Sequence, residues 1–475
     1  MLFNSFIFFI FLCVVLPIFY ALPNKNSRNI FLLLCSYFFY GYWDWRFCSL
    51  LAISTVIDFF VGIKLAENSE NLKKRKLLLS LSLVSNLGIL AFFKYFNFFV
   101  DSFQSLAKVF NWHVDLLHLN IILPVGISFY TFQTLSYSID VYRKKLEPTT
   151  NFVDFALFVS FFPQLVAGPI ERAASLLPQL SKKFGPNKEQ IKQGVVLIIM
   201  GLFRKVIIGD TAGKFVDNIF GNIEIYKSIE VLSALVLFSI QIYADFSGYS
   251  HIARGTAKLL GIELMKNFEQ PYLSRNITEF WRRWHISLSS WLKDYLYISL
   301  GGNRKGKYRT YVNLMLTMLL GGLWHGASWN FVIWGGLHGL YLSIHKIYLG
   351  NRKVDADNLN KFDCKNILNI LLTYILVLFT WIFFRSTSWH TTLLFFQKIT
   401  NWEISEYATL FITIILVYLA IILIFDLFEY IYRSHTYILK VKSNGVVFGI
   451  LAALLLITFI YMFQAEASPF IYFQF

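Results

Sequence analysis

Long apolar stretches alternate with short charged loops along the whole chain. A helix of about 20 apolar residues crosses the hydrocarbon core of a bilayer. Stretches near that length cover residues 2–20, 29–43, 46–63, 77–99, 121–142, 192–209, 231–247, 310–325, 329–347, 366–385, 407–432 and 445–463. The pattern predicts an all-α polytopic membrane protein with about 11–12 spans.

The charge of the loops alternates along the chain. The net basic loops are 64–76, 171–192 and 282–309. Cytoplasmic loops of membrane proteins carry an excess of Lys and Arg, so these loops are expected inside. The loop 210–230 is net acidic and is expected outside. The resulting topology places both termini outside. The segments expected inside are 143–152, 171–192 and 251–309.

Residues 153–170 are apolar but do not fit a span, because both flanks are basic and Pro163, Gly168 and Pro169 interrupt the stretch. A broken segment at membrane depth needs protein or a water-filled cavity around it. We therefore predict a re-entrant or buried hairpin here. No long linker interrupts the chain, so 1–475 is predicted to be one integral-membrane domain. Its parts are N-terminal spans 1–120, a core 121–345, C-terminal spans 346–463 and a tail 464–475.

The stretch 278–303 has the periodicity of an amphipathic helix. Its apolar face consists of Trp281, Trp284, Leu288, Trp291 and Tyr295. A basic helix with a Trp-rich face is typical of the membrane interface, so we predict an in-plane helix. A lipid-surface anchor explains the Trp and Arg residues, but it does not explain why His285 joins the Trp face.

Ionisable groups inside apolar stretches are functional candidates because they are costly at membrane depth. His325 and His338 lie among glycines in LLGGLWHGASWNFVIWGGLHG. Histidine exchanges a proton near neutral pH, which makes His325 a candidate general base. For His338, small-residue helix packing with a hydrogen-bonded ring is the favoured interpretation.

Two further polar stretches interrupt apolar ones. Asp245 is either a functional carboxylate or a helix-end carboxylate paired with a nearby Arg. In the stretch 124–143, Gln133, Ser136 and Asp140 break an apolar run. A polar cavity lining and a packed hydrogen-bond network both fit this second stretch.

The composition excludes a water-soluble globule. The chain is 56% hydrophobic and 19% aromatic with only 15% charged residues, whereas soluble domains carry about 25% charge. The net charge of +15 lies in loops, so we expect a lipid bilayer and no nucleic acid as partner. Motifs of soluble active sites, including HExxH, are absent, and no metal is expected. Enzyme and transporter both remain open from these residues alone.

Several segments resemble those of the membrane-bound O-acyltransferase (MBOAT) family and occur in the same order. The segments are SFYTFQTLSYSIDVYR, FFPQLVAGPIER, YADFSGYSHIARG, NFEQPY, FWRRWHISLSSWLKDYLYISLGGNRKG and GGLWHGASWNFVIWGGLHG. They cover most of residues 124–340. The similarity is greatest to the bacterial branch of alginate and peptidoglycan O-acetyltransferases. It implies an MBOAT-type helical bundle around a central tunnel.

The resemblance also implies roles for individual residues. His325 is expected to be the essential membrane histidine of the family, and His285 the second histidine. The residues expected in substrate or donor binding are Trp324, Asp245, Arg282, Arg283 and Asn303. Ser299 and Lys293 stand where relatives often carry Pro and Arg, and neither adjoins a histidine in sequence.

The implied activity is O-acetylation of a cell-surface polysaccharide from the bacterial inner membrane. Acetyl-CoA is the expected donor, no tightly bound cofactor is expected, and a periplasmic SGNH-type transferase or esterase is the expected partner. Alternatives are another acyl group such as D-alanine, a lipid acceptor, or an exporter of an acyl carrier. Common transporters contain repeated halves, and no internal repeat is visible in this chain.

The tail carries Phe470, Tyr472 and Phe475 in an F-x-Y-x-x-F pattern. The pattern resembles the C-terminal motif of the small partner that carries the acyl group in teichoic acid D-alanylation. It predicts a flexible tail on the outer face, with Tyr472 as a catalytic acyl relay. A tyrosyl ester is activated toward transfer because its leaving group has a pKa of about 10. The alternative is an aromatic belt that anchors the last helix at the interface.

Overall fold

The chain folds into helices that form two compact units. The structure is a computed structural model that describes residues 1–112, 114, 116–166, 168–182, 184–350 and 363–473. Within these ranges the regular structure is helical and contains no strand, which confirms the predicted all-α class. The units are Met1–Val195 with Ala253–Met265, and Val196–Ile252 with Lys266–Phe475. The assignment of the whole chain to one integral-membrane domain stays a prediction.

The first unit is built from short and medium helices. They are α1 Phe6–Ala21, α2 Lys25–Asp44, α3 Cys48–Glu67, α4 Leu72–Leu90, α5 Phe96–Val109, α6 Ile127–Tyr142, α7 Phe152–Ser160, α8 Phe162–Leu165 and α9 Ala173–Leu180. The side chains of Ser5, Asn24 and Asn71 accept hydrogen bonds from the first backbone N–H groups of α1, α2 and α4. These polar caps set the starts of helices whose interiors are apolar.

A buried polar cluster joins α3, α4 and α6. The Asp58 carboxylate accepts hydrogen bonds from Ser138 at 2.6 Å, from Asn86 at 2.7 Å and from Ser82. The Thr134 hydroxyl donates to Asn86 at 3.3 Å. Buried on the same helix α6 are Gln133, Ser136 and Asp140. Ser138 and Thr134 of the stretch 124–143 therefore belong to a packed hydrogen-bond network. For Gln133, Ser136 and Asp140 the two alternatives, a cavity lining and a packed network, both stay open.

The broken segment 153–170 folds as two short helices, α7 and α8. The chain turns between them at Phe161, and the residues 154–165 are buried. This agrees with a buried hairpin. Its depth in a membrane stays a prediction.

The second unit contains the longer helices. Two helices, α10 Lys188–Leu202 and α12 Ser228–Leu259, have residues in both units. The others are α11 Asp210–Gly221, α13 Ile277–Arg283, α14 Ile286–Trp291, α15 Gly306–His325, α16 Trp329–Leu349, α17 Cys364–Arg385, α18 Trp389–Thr400, α19 Ala408–Tyr432 and α20 Asn444–Gln464.

Wider π-helical turns interrupt the α-helical geometry at π1 Ala91–Tyr95, π2 Phe203–Gly209 and π3 Leu292–Tyr297.

Six helical stretches of the described residues are long and apolar enough to cross a membrane. They are Lys25–Glu67, Leu72–Val109, Ser228–Leu259, Cys364–Arg385, Ala408–Tyr432 and Asn444–Gln464. The chain is therefore a multi-pass membrane protein. Other predicted spans, including 310–325 and 329–347, are helical. The total of about 11–12 spans stays a prediction.

The single amphipathic helix predicted over 278–303 is wrong. The segment is divided into α13, α14 and π3, and the chain leaves helical geometry at Trp284 and His285. The tryptophans are not on the protein surface either, since Trp281, Trp284 and Trp291 are 9%, 0% and 7% exposed. The Trp face is packed inside the protein, which excludes a simple lipid-surface anchor.

Candidate functional site

His285 lies in a strained turn between α13 and α14. Its φ of 42° falls in the left-handed region, which costs a non-glycine residue about 1–3 kcal/mol. Two hydrogen bonds to Asn267 hold the turn: Ile286 N–H donates to the backbone oxygen at 2.8 Å, and Ser287 N–H donates to the side chain at 3.4 Å. The turn directs the fully buried His285 ring against Phe246, with centroids 4.6 Å apart.

Burial also sets the protonation state of this ring. It lowers the pKa of His285 to about 3 because the charged form loses its hydration. The imidazole is therefore neutral at physiological pH and can accept a hydrogen bond.

His325 is the last residue of α15, where that helix packs closely on α16. A Cβ at Gly322 would lie 2.2 Å from the backbone oxygen of Phe331, so only glycine permits this approach. The buried His325 ring lies 5.0 Å from Trp334 and 5.3 Å from Phe384, measured between centroids. The glycines noted in the sequence thus place the histidine in an aromatic enclosure.

The structure brings His325, His285 and Tyr472 together. The two histidine rings lie 6.3 Å apart. The Tyr472 ring lies 5.5 Å from His325 and 6.2 Å from His285, and its hydroxyl oxygen is inaccessible to solvent. Burial raises the pKa of Tyr472, so the phenol stays protonated at neutral pH and needs a base to become a nucleophile.

The described part of the tail is packed rather than free. Residues Ile471–Phe473 form a short 3-10 helix, and Phe470 is fully buried against Tyr249 and Phe246 with centroids 4.7 and 5.2 Å apart. The expectation of a flexible end is therefore wrong for residues 470–473. The position of Tyr472 among the histidines also argues against a simple aromatic belt. Phe475 lies outside the described residues.

Asp245 lies in the middle of α12 and is buried. It forms an ion pair with Lys205 at 2.9 Å and accepts a hydrogen bond from the Ile471 backbone N–H at 2.9 Å. The alternative of a helix-end carboxylate paired with an Arg is wrong in both respects. A role in substrate or donor binding stays a prediction, and the polar contacts of Asp245 described here are with Lys205 and with the tail.

A cavity is lined mainly by residues of α13, π3, α15 and α16. It encloses about 450 Å³, and its polar lining includes Arg282, Lys293, Asn303 and Lys346. The Asn303 side chain accepts hydrogen bonds from the Tyr297 hydroxyl and from Lys346. The cationic side chains of Arg282, Lys293 and Lys346 could bind an anionic ligand.

Arg283 and Trp324 take other positions. Arg283 forms an ion pair with Glu279 at 2.7 Å and is not among the residues that line the cavity, which does not support its expected place beside the donor. Trp324 is buried and lies 5.1 Å from His325 and 6.0 Å from His285, measured between centroids. Trp324 therefore belongs to the aromatic enclosure around His325 and His285.

Two residues of the site, Lys205 and Phe246, were not predicted from the sequence. Lys205 lies within the predicted span 192–209, so an ionisable group at membrane depth was visible there. Phe246 contacts both His285 and Tyr472, but a phenylalanine in an apolar stretch carries no distinguishing pattern. Within the described ranges, no group of three or more His, Cys, Asp or Glu residues could hold a metal ion.

Comparison with known proteins identifies the family of the chain. Residues 143–385 match the model of MBOAT, the membrane-bound O-acyltransferase family. The chain is 41% identical over 403 residues to a probable alginate O-acetylase of Pseudomonas putida, which covers 84% of this chain and 81% of the relative. It is 39% identical over 396 residues to a peptidoglycan O-acetyltransferase of Helicobacter pylori, with 78% and 73% covered.

A more distant relative is a teichoic acid D-alanyltransferase of Bacillus subtilis. It is 27% identical over 281 residues, covering 57% of this chain and 71% of the relative. The chain belongs to the membrane-bound O-acyltransferase family, and it is an O-acyltransferase.

Proposed function

We propose that this protein moves an acetyl group from cytosolic acetyl-CoA to Tyr472, from which a periplasmic partner takes it for O-acetylation of a cell-surface polysaccharide. The observation that carries the proposal is the approach of Tyr472 to His325 and His285 inside one aromatic enclosure. The names of the alginate and peptidoglycan relatives support acetyl as the acyl group and a polysaccharide as the final acceptor.

The first step forms an ester on the tyrosine. The phenolic oxygen of Tyr472 attacks the thioester carbonyl of the donor while His325 accepts the phenolic proton. The C–S bond breaks, and the sulfur takes the proton from His325 and leaves as free CoA. General-base catalysis of this kind contributes about 10²–10⁴-fold in rate. Neutral His285 accepts a hydrogen bond at the reacting groups and helps to position them.

The second step regenerates the tyrosine. The serine hydroxyl of a periplasmic SGNH-type partner attacks the tyrosyl ester, loses its proton and becomes acetylated, and the Tyr472 oxygen takes up a proton. The partner then passes the acetyl group to a sugar hydroxyl. Neither the charged donor nor the sugar needs to cross the hydrocarbon, because the acetyl group alone changes carriers inside the protein.

The cavity lined by Arg282 and Lys293 is the proposed donor site. Acetyl-CoA carries phosphate groups, and Lys and Arg side chains bind phosphate through charge-assisted hydrogen bonds. Both side chains are exposed and can reach a soluble ligand. Asn303 supplies an uncharged polar group at the same cavity.

The proposed location is the bacterial inner membrane, with both termini outside and 251–309 inside. A single cysteine introduced as Lys305→Cys in a chain without other cysteines tests the orientation. A membrane-impermeant maleimide should label it only after the cells are opened. Labelling of intact cells would overturn the orientation.

The relay is tested by mass spectrometry of purified protein incubated with acetyl-CoA. Wild-type protein should release CoA thiol and carry an acetyl ester on the tail peptide. Tyr472→Phe keeps the ring and removes the hydroxyl, so the ester should be absent, whereas the control Tyr461→Phe should behave like wild type. Polysaccharide acetylation in cells at the wild-type level by Tyr472→Phe would exclude the relay.

The same assay separates the alternatives. Thiol release no greater than the protein-free background would exclude acetyl-CoA as the donor. The similarity to a D-alanyltransferase makes a D-alanyl group from a carrier protein the second candidate. A D-alanyl ester on Tyr472, formed in place of an acetyl ester, would establish that candidate.

A further inference from the structure

Lys205 is a fully buried cation whose side chain reaches the tail. It belongs to π2, where the wider helical turn interrupts the ordinary α-helical spacing. Its Nζ lies 2.7 Å from Asp210 and 2.9 Å from Asp245, and it donates a hydrogen bond to the backbone oxygen of Pro469 at 3.2 Å. Segments of π-helix are frequent at functional sites.

Asp245, on the neighbouring helix α12, also contacts the tail. Its second carboxylate oxygen accepts a hydrogen bond from the backbone N–H of Ile471 at 2.9 Å. The Lys205 and Asp245 side chains therefore bind the tail backbone on both sides of Phe470. The two contacts use the backbone oxygen of Pro469 and the backbone N–H of Ile471. They therefore hold the backbone of the tail in place without depending on which side chains it carries.

Glycines where π2 contacts α12 bring Lys205 and Asp245 close together. A Cβ at Gly248 would lie 2.7 Å from the backbone oxygen of Gly201 and 2.8 Å from the backbone nitrogen of Lys205. A Cβ at Gly209 would lie 3.0 Å from the backbone nitrogen of Asp245. Side chains at Gly248 or Gly209 would push the two helices apart.

We propose that Lys205 and Asp245 form a docking site for the backbone of residues 469–471, and that docking places Tyr472 between His325 and His285. Both are positioning residues, since they act through the tail and contact none of the reacting atoms. Their effect on acyl transfer rests on the proposed function of Tyr472, whereas the docking itself does not.

Two matched pairs of variants test the docking site. Asp245→Leu removes the acceptor of the Ile471 N–H, and Lys205 keeps Asp210 as its partner. Asp245→Asn keeps a side-chain oxygen that can accept the same hydrogen bond. On the tail, Ile471→Pro removes the donating N–H together with the isoleucine side chain, at the first position of a helical turn, where proline is tolerated. Ile471→Ala keeps that N–H and is its control.

The direct measurement is hydrogen–deuterium exchange of the peptide 465–473 in purified full-length protein. Exchange in Asp245→Leu should be at least about tenfold faster than in wild type, with Asp245→Asn between the two; a tenfold change in the opening equilibrium is large enough to resolve. Ile471→Pro should speed exchange at the Phe473 amide, and Ile471→Ala should do so much less.

Transfer kinetics provide the second measurement. In variants whose tail is undocked most of the time, kcat should fall in proportion to the docked fraction, with an unchanged KM for acetyl-CoA, because the donor cavity is separate from the docking site. General loss of structure would instead change both parameters and the exchange of peptides elsewhere.

The outcomes distinguish the two proposals. Wild-type exchange of the tail in both Asp245→Leu and Ile471→Pro would overturn the docking site. Tail exchange as fast as that of an unprotected peptide, together with undiminished acetyl transfer, would support the docking site and refute the relay function of Tyr472. If Asp245→Leu does not fold, the pair Ile471→Pro and Ile471→Ala decides the question alone.

Discussion

The indole N–H of Trp281 donates a hydrogen bond to Nδ1 of His338 at 3.3 Å. Because Nδ1 is an acceptor, Nε2 carries the ring proton and donates it to the Thr380 hydroxyl oxygen at 3.0 Å. The Thr380 hydroxyl in turn donates to the backbone oxygen of Val377 at 2.7 Å. Both nitrogens of His338 are thus engaged in packing contacts, which agrees with the structural role favoured for it from the sequence.

His338→Ala should therefore affect stability more than catalysis. The substitution leaves buried partners without their hydrogen bonds, which costs about 1–3 kcal/mol. We expect a lower melting temperature in detergent and continued thiol release per folded molecule. A complete loss of turnover in monodisperse, folded His338→Ala protein would show that this histidine also takes part in the chemistry.

His325→Ala should show the opposite behaviour. Loss of the proposed general base should lower the rate of thiol release by about 10²–10⁴-fold, with little change in the size-exclusion profile. His285→Ala should reduce the rate less, because a hydrogen-bond acceptor contributes less than a base. Wild-type acetylation by folded His325→Ala protein would contradict the proposed mechanism.

Arg282→Ala and Lys293→Ala should each raise the KM for acetyl-CoA. A hydrogen bond to a charged group contributes about 1.5–3 kcal/mol, so the increase should be about tenfold or more. Added salt should raise the KM of wild type by screening the same charges.

Arg283→Ala is the matched control for the donor site. Its guanidinium is held by Glu279, so its loss should change the KM for acetyl-CoA much less. Equal effects of Arg282→Ala and Arg283→Ala would argue that the donor binds elsewhere.

Glu171 should make stability depend on pH. Burial raises its pKa to about 7 from the ordinary 4.5, although a hydrogen bond from the Met265 N–H and the charge of Arg254 oppose the shift. The folded state therefore holds the proton more tightly than the unfolded state. The stabilisation is complete below pH 4.5 and is lost as the pH rises through 7, by about 3 kcal/mol in total.

Glu171→Gln removes this titration and keeps an acceptor for the Met265 N–H. Melting temperatures measured between pH 5 and pH 8 should fall with pH more steeply for wild type than for Glu171→Gln. Parallel curves for the two proteins would contradict the raised pKa.

Apolar periodicity predicted where the helices lie, but not where helices break. The Trp281 to Tyr295 spacing continues through His285 as though one helix were present. The break depends on hydrogen bonds to Asn267, a residue that local periodicity does not include. The spacing of apolar residues along a helix is a local property, whereas the turn at His285 is stabilised by a tertiary contact with Asn267.

In the candidate site too, single residues could be predicted from the sequence, but most of their contacts could not. His325 was visible as an ionisable residue among glycines, and the F-x-Y-x-x-F pattern drew attention to Tyr472. Their approach to each other was suggested only by resemblance to other proteins. Lys205 was visible as a charge in an apolar stretch, but its contact with Pro469 joins residues 264 positions apart. Such pairs follow from the packing of helices and cannot be read from one sequence.

The short connection between α20 and the docked tail gives Tyr472 a kinetic property that a separate acceptor would lack. Only residues 465–468 link the helix to Pro469. A tether this short gives an effective concentration of about millimolar order. A peptide of the same sequence in solution would need a comparable concentration to compete. In the proposed reaction, the first acceptor is therefore always present at one equivalent per enzyme, and the supply of the periplasmic partner governs only the second step.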